Sequence, residues 1–254
     1  SITQVTVNAA TAAITGTLGV CVNRTTTLNS TTIGGTWSSG SANVSVNTTT
    51  GEVTGVAAGT ATISYTLSTG CRQTTIVTVY ALPATITATP SFGVCVGNTT
   101  TLNSTPGGTW SIFNTTIGTI STVGVVTGLA SSGADTTIVS YTNANGCVRV
   151  TVVTVFAPPT AITGGATVCV LGTTSLNSTP AGGTWSSGAP GVASVDATTG
   201  VVTGVSGPLT ATISYTLGTG CRTTQVVTVY SLPNNITGTL QVLSLIHISQ
   251  GIVR

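Results

Sequence analysis

The sequence predicts an all-β chain: a tandem of small β-sandwich domains of about seven strands each, stacked end to end. Three observations predict it. Cys21, Cys95 and Cys169 recur at intervals of 74 residues, and Trp37, Trp110 and Trp185 at intervals of 73 and 75. A segment that opens Gly51-Glu-Val-Thr-Gly55 and reaches Cys71 returns as Gly124-Val-Val-Thr-Gly128 reaching Cys147, and as Gly200-Val-Val-Thr-Gly204 reaching Cys221. Between these markers run short stretches of Thr, Val, Ile and Tyr in period-2 alternation, broken by Gly, Asn, Ser and Pro, which is the texture of strands and turns. A unit of 74 residues is too long for a helical or leucine-rich array and lies near the lower size limit of an independent domain.

The period divides the chain into residues 1–10, which align with the closing strand of a preceding repeat, repeats at 11–83, 84–158 and 159–233, and a fourth repeat begun at 234–254. In the first repeat, strands are expected near 13–17, 25–30, 35–38, 42–46, 52–56, 60–67 and 72–80. Along the sixth, Ala61, Ile63, Tyr65 and Leu67 share the face that must meet the opposing sheet. Trp37, Trp110 and Trp185 are assigned to the three cores, with Tyr65, Tyr141 and Tyr215 beside them. The last strands end at Tyr80, Phe156 and Tyr230, each followed within three residues by Pro83, Pro158 or Pro233. Links that short predict a stiff rod, with the three aromatics packed at domain junctions.

The tail breaks the pattern. Leu243-Ser-Leu-Ile-His-Ile-Ser249 stands where a fourth repeat calls for a cysteine. It resembles a translated transposon end of the kind used to prepare sequencing libraries, which would make 243–254 an assembly artefact; the alternative is a genuine divergent strand. The only histidine, His247, lies within it.

Composition narrows the function classes. Charged residues make up 3% of the chain, there is no lysine, and nearly a quarter of the residues are threonine, against about 25% charged residues in ordinary soluble domains. A hydroxylic surface without charge repulsion favours association or a coat of glycans. A net charge of +2 on five scattered arginines is no electrostatic footprint for nucleic acid or an anionic membrane. Thr, Ser and Gly interrupt every apolar run, so no membrane-inserting helix is expected. The acids Glu52, Asp135 and Asp196 stand in three different repeats, so no carboxylate pair, calcium cluster or Ser/His/Asp arrangement is expected. We therefore expect no catalytic residue, no metal and no cofactor.

Six cysteines, one pair per repeat and no CxxC, read as disulfides and not as a zinc site. Pairing within repeats gives Cys21–Cys71, Cys95–Cys147 and Cys169–Cys221, at separations of 50, 52 and 52 residues. Each such loop would stabilise its domain by roughly 4 kcal/mol. The difficulty is geometric: the first cysteine belongs near the turn after the first strand, and the second at the opposite end of a sandwich. The alternative joins neighbouring repeats, Cys21 to Cys147 and Cys95 to Cys221, and leaves Cys71 and Cys169 for further repeats. Asn-x-Ser/Thr sequons are dense, and Asn23, Asn29, Asn98, Asn103 and Asn177 head the candidate glycosylation sites, with Thr136 in Asp135-Thr-Thr137 as a hydroxyl-linked candidate.

Gly51-Glu-Val-Thr-Gly-Val-Ala-Ala-Gly-Thr-Ala-Thr-Ile63, placed after Trp37-Ser-Ser39, resembles the signature of bacterial immunoglobulin-like domains of group 2. The match covers all three repeats and is weakest in the second, where Ser111-Ile-Phe113 replaces Trp-Ser-Ser's serines. Val94-Cys-Val-Gly97 and the later Gly-Cys pairs are similar to repeats in very large secreted surface proteins of Bacteroidetes-type bacteria. The resemblance implies an immunoglobulin-like sandwich in an adhesin, fibre or stalk. The expected function is a non-enzymatic extracellular structural repeat protein contributing to a surface filament; the alternative is a spacer in an adhesin whose binding domain lies elsewhere. Expected partners are copies of itself, including strand donation by residues 1–8 to another chain's tail, and glycans.

Overall fold

Alternation of Val, Ile and Tyr with Thr and Ser leaves each run apolar on one face and hydroxylic on the other, and strands form throughout. The computed structural model describes residues 10–235 and 237, in two units that divide at Pro158 and Pro159. Residues 1–8 and the tail 243–254, with His247, lie outside the described residues.

The first repeat contains β1 (Thr15–Gly16), β2 (Gly19–Cys21), β3 (Thr25–Asn29), β4 (Gly35–Ser39), β5 (Val44–Val46), β6 (Glu52–Gly55), β7 (Gly59–Leu67) and β8 (Arg72–Tyr80). The second contains β9 (Thr87–Thr89), β10 (Gly93–Cys95), β11 (Thr99–Asn103), β12 (Thr109–Ile112), β13 (Gly118–Ile120), β14 (Val125–Gly128), β15 (Ala134–Thr142) and β16 (Val148–Phe156). These two repeats make up the first unit. The second unit holds β17 (Thr163–Gly164), β18 (Thr167–Cys169), β19 (Thr173–Asn177), β20 (Thr184–Ser187), β21 (Ala193–Val195), β22 (Val201–Gly204), β23 (Leu209–Thr216) and β24 (Arg222–Tyr230).

Each repeat is a sandwich of two four-stranded sheets, ordered β1-β3-β6-β5 and β2-β8-β7-β4 in the first and equivalently in the others. This is the strand order of an immunoglobulin-like fold. The count is eight strands, not the expected seven. The first expected strand, 13–17, is the shorter β1, which ends at Gly16 with a φ of 125° open to glycine, and β2 follows it as an additional strand. β1 pairs antiparallel with β3, and the chain then crosses to the other sheet, where β2 runs parallel to β8 with Cys21 opposite Tyr80. A three-residue strand of Gly, Val and Cys carries too little alternation to be read from sequence.

The inward face of β7 is the expected one: Ala61, Ile63 and Tyr65 are buried, and Leu67 is half-buried. They share a core with Leu28 and Val53 of the opposing sheet and with Val77, Val79 and Trp37 of their own. Trp185 is buried in the third repeat, whereas Trp110 is only half-buried in the second. Each indole lies against the tyrosine opposite it on the neighbouring strand, ring centroids 4.6 Å apart, in the pairs Trp37–Tyr65, Trp110–Tyr141 and Trp185–Tyr215.

The repeated Gly-x-Val-Thr-Gly motif has a steric origin at both ends. Gly51 sits at φ 72°, and a Cβ there would stand 2.5 Å from the Leu28 carbonyl oxygen and 2.7 Å from the Trp37 ring. A Cβ on Gly55 would stand 2.7 Å from the carbonyl oxygen of Cys21. The first glycine makes room for the tryptophan, and the second lets β6 approach the cysteine-bearing strand. The turn before Gly51 is held by Asn47, whose Oδ1 accepts from the backbone N–H groups of Thr49 and Thr50, both at 3.0 Å. Asp196 does the same in the third repeat, accepting from Thr198 and Thr199 at 3.0 and 2.8 Å.

Each buried tyrosine hydroxyl is doubly satisfied. Tyr65 Oη accepts from the Gly35 N–H at 2.9 Å and donates to the Thr32 carbonyl at 2.8 Å. Tyr215 makes the same pair with Gly183 and Pro180, and Tyr141 with Gly108 and Thr105. The loop between β3 and β4 is thus tied to the core.

Candidate functional site at the repeat junction

Within the first unit, side chains of the β15–β16 hairpin close on the link between the first and second repeats. The hairpin loop is shaped by its own sequence: Asn143 donates its N–H to the Cys147 carbonyl, Gly146 donates to the Asn143 carbonyl, and Asn143 Oδ1 accepts from Asn145 and Cys147 at 3.1 and 3.0 Å. An Asn side chain folded onto its own loop in this way fixes the following residue. It leaves Asn143 Nδ2 to donate outward to the Ala81 carbonyl at 3.2 Å.

Cys147, fully buried, is thereby held against the end of the first repeat. It forms a disulfide with Cys21, Cα atoms 5.7 Å apart and 126 residues apart in sequence. Its sulfur lies 3.9 Å from the Tyr80 carbonyl oxygen. Arg149, two residues along β16, donates from Nε to the Pro83 carbonyl at 2.8 Å. One bridge and two hydrogen bonds therefore hold the link 81–83. The Ala81 and Pro83 carbonyls, which lie outside any β-ladder, are met by the next repeat's hairpin.

This geometry corrects the pairing within repeats. Cys21 bonds Cys147, so neither Cys21–Cys71 nor Cys95–Cys147 forms, and Cys169, a free thiol, does not form Cys169–Cys221. The reason is the one the sequence raised. Cys21 ends β2 at the exit end of the sandwich, beside Tyr80, while Cys71 follows the β7–β8 turn at the other end. Cys95 and Cys221 are in the disulfide state, and Cys71 and Cys169 are thiols, half-buried and exposed.

Tyr80 and Phe156 rest over the glycine of the preceding short strand in their own repeat: a Cβ on Gly19 or Gly93 would stand 2.7 or 2.6 Å from the respective ring. In the third repeat Thr167 occupies that position, and Tyr230 is 52% exposed. These aromatics thus pack within repeats where glycine allows it.

Sequence reasoning passed over Asn143 and Arg149. Their signal is departure from the repeat: Asn143 stands where the other copies have Leu67 and Leu217, and Arg149, opposite Tyr141 in the ladder, where they have Gln73 and Thr223.

The remaining candidates are dispersed. Glu52 and Asp196 are exposed and Asp135 half-buried, the last accepting from the Ser132 N–H at 2.9 Å. The hydrogen bonds from Thr199 and Thr198 hold the Asp196 carboxyl below the usual carboxylate range. Among the described residues no three His, Cys, Asp or Glu side chains gather as metal ligands, and no helix is long and apolar enough to cross a membrane. Asn23, Asn29, Asn98, Asn103, Asn177 and Thr136 are exposed. A shallow cleft opens beside each Trp–Tyr pair, about 360 Å³ at Trp37, 170 Å³ at Trp110 and 410 Å³ at Trp185.

Fold and junction together define a tandem array of immunoglobulin-like β-sandwiches, two of them stapled to each other. No protein-family model and no curated protein sequence matches the chain, so the group 2 resemblance rests on its motif residues alone. Among solved structures it is similar to domains 4 and 5 of the S-layer protein SbsC, at 19% identity over 59% of this chain and 99% of that one, TM-score 0.29. It is similar to a C-terminal 282-residue fragment of intimin, solved in complex with the intimin-binding domain of its translocated receptor, at 19% identity over 67% and 57%, TM-score 0.29. It is also similar to invasin, a bacterial integrin-binding protein, at 12% identity over 87% and 60%, TM-score 0.38. The chain thus spans under two thirds of the intimin fragment and of invasin.

Proposed function

We propose that this chain is a non-enzymatic, extracellular structural repeat protein that contributes to a surface filament or fibre. The observation that carries the reading is the Cys21–Cys147 bridge between adjacent repeats. A domain closed on itself needs no such bond, whereas a bond across a junction transmits tension from one repeat to the next without passing through the link. Disulfides belong to oxidising compartments outside the cytoplasm.

The outer surface fits association. On the second repeat, Val148, Val150 and Val152 of β16 and Ile138 of β15 stand 39 to 61% exposed, with Ile138 and Val152 directly paired. The equivalent face of the first repeat carries Arg72, Thr74 and Ile76. With 3% charged residues in the chain, little repulsion opposes lateral contact between such faces.

Electron microscopy of the native material tests the reading. Continuous filaments with an axial repeat of roughly 35 to 45 Å, the length of sandwiches built from strands this short, are the expected result. Isolated flexible beads, or rods tipped by a distinct head, would overturn it and favour an adhesin spacer.

A further inference from the structure

We infer that Cys71 and Cys169 are the two open ends of a head-to-tail disulfide ladder, each awaiting the complementary cysteine of another repeat of this kind. The ladder deepens the filament reading but is testable apart from it.

Both thiols occupy the backbone frame of a cysteine that is already bridged. Cys71 closes the β7–β8 turn with the Leu67 N–H donating to its carbonyl and the Gly70 N–H to the Leu67 carbonyl, both at 2.9 Å. Cys147 closes the β15–β16 turn with the same two bonds from Asn143 and Gly146, both at 3.0 Å. At the other end, Cys169 stands opposite Tyr230 in a parallel ladder as Cys21 stands opposite Tyr80, and Val170 donates to the Tyr230 carbonyl as Val22 does to that of Tyr80.

The bridged pair defines a polarity. The first cysteine of a repeat bonds the second cysteine of the repeat that follows. By that rule Cys169 takes the second cysteine of a following repeat, and Cys71 the first cysteine of a preceding one. Exposure agrees with vacancy at both ends. Cys147 is fully buried beneath the first repeat, whereas its counterpart Cys71 is half-buried. Tyr230 and Leu232 are 52 and 53% exposed beside the exposed Cys169. A following hairpin would cover them as the β15–β16 hairpin meets the Tyr80, Ala81 and Pro83 carbonyls.

Joining one copy's Cys169 to the next copy's Cys71 removes two protons and two electrons, accepted here by a small-molecule disulfide. The Cys169 thiolate first displaces one small thiol to form a mixed disulfide. The Cys71 thiolate then attacks the Cys169 sulfur and releases the second.

The test uses the folded chain with oxidised glutathione, non-reducing electrophoresis and mass spectrometry of unreduced peptides. The expected result is covalent multimers carrying a Cys71–Cys169 linked peptide. Cys71→Ser alone and Cys169→Ser alone should each remain monomeric, and their one-to-one mixture should give a dimer and nothing larger. Retention of the Cys21–Cys147 peptide certifies that each variant is folded. A homotypic dimer of either variant, or no dimer in the mixture, overturns the ladder. In native material, Cys71 linked to a peptide outside these residues identifies a flanking repeat of a longer polypeptide, and Cys71 linked to Cys169 identifies joined copies; both support the rule. Filaments whose Cys71 and Cys169 react fully with a maleimide overturn the ladder and leave the filament reading standing. Mixed-variant dimers from a protein whose native material shows only beads do the reverse.

Discussion

Replacing Cys21 by serine isolates the energetic role of the junction bridge. The bond closes a segment of 126 residues, and the chain-entropy relation assigns such a loop about 5 kcal/mol. In a folding unit of about 150 residues, where 1 kcal/mol moves the melting temperature by about 2 to 4 °C, that amounts to about 10 to 20 °C. Cys21 is the better partner to remove, because it is half-buried, whereas a serine in the fully buried place of Cys147 would add the cost of an enclosed hydroxyl. The hydrogen bonds from Asn143 and Arg149 to the link remain, so the change reports the bond itself. The assay is calorimetric or circular-dichroism melting of parent, Cys21→Ser and Cys71→Ser proteins, thiols blocked after folding. Cys71→Ser, which removes no bridge, should stay within about 0.5 kcal/mol of the parent. Equal losses in the two variants would refute the reasoning and restore pairing within repeats, and a Cys21→Ser protein melting within about 2 °C of the parent would refute the stabilisation assigned to the bridge.

Gly51→Ala should cost at least about 2 kcal/mol, since it adds a left-handed penalty to a clash with Leu28 and Trp37. Gly70→Ala, at φ 85° with nothing within 4 Å of the added carbon, should cost about 1 kcal/mol, and denaturant midpoints compare the two. Tyr65→Phe leaves the Gly35 N–H and Thr32 carbonyl without their partner and should cost about 1 to 3 kcal/mol by the same measurement. Leu171, at φ 65° and 79% exposed, occupies the turn position where the second repeat has Gly97 at φ 82°; Leu171→Gly should therefore raise stability by about 1 kcal/mol. The Asp196 carboxyl is held below its ordinary value of 3.8 by hydrogen bonds from Thr199 and Thr198. Its contribution is accordingly present above that pH and lost as pH falls through the lower folded value. Asp196→Asn, which copies Asn47, should retain the turn and remove this part of the pH dependence, read from denaturant midpoints at pH 7 and pH 2.5.

The second copy of the motif shows how much was legible. Gly124-Val-Val-Thr-Gly128 with a tryptophan upstream and Tyr141 beyond were enough to place a β-sandwich core, as Ala61, Ile63, Tyr65 and Leu67 were enough in the first copy to place the inward face of β7, because these depend on spacing and on the two-residue period of a strand. The short strands β2, β10 and β18 were not legible, since three residues set no period, and the pairing partner of each is the closing strand of its repeat, far along the chain.

Disulfide connectivity shows where sequence spacing stops being informative. Equal intervals of about 50 residues made pairing within each repeat the simplest reading, and loop closure would reward either arrangement by similar amounts. The parallel strand β2 decided otherwise by carrying Cys21 to the end of the sandwich where the chain leaves it, while the β7–β8 turn carries Cys71 to the other. Composition and period by themselves determined a sparsely charged, all-β, three-repeat chain, because burial pattern and turn chemistry are local properties. Which cysteines meet, and that Asn143 and Arg149 grip the preceding link, was decided only by tertiary structure, because a covalent bond or a hydrogen bond answers to distance in space, and strands from opposite ends of a repeat set that distance together.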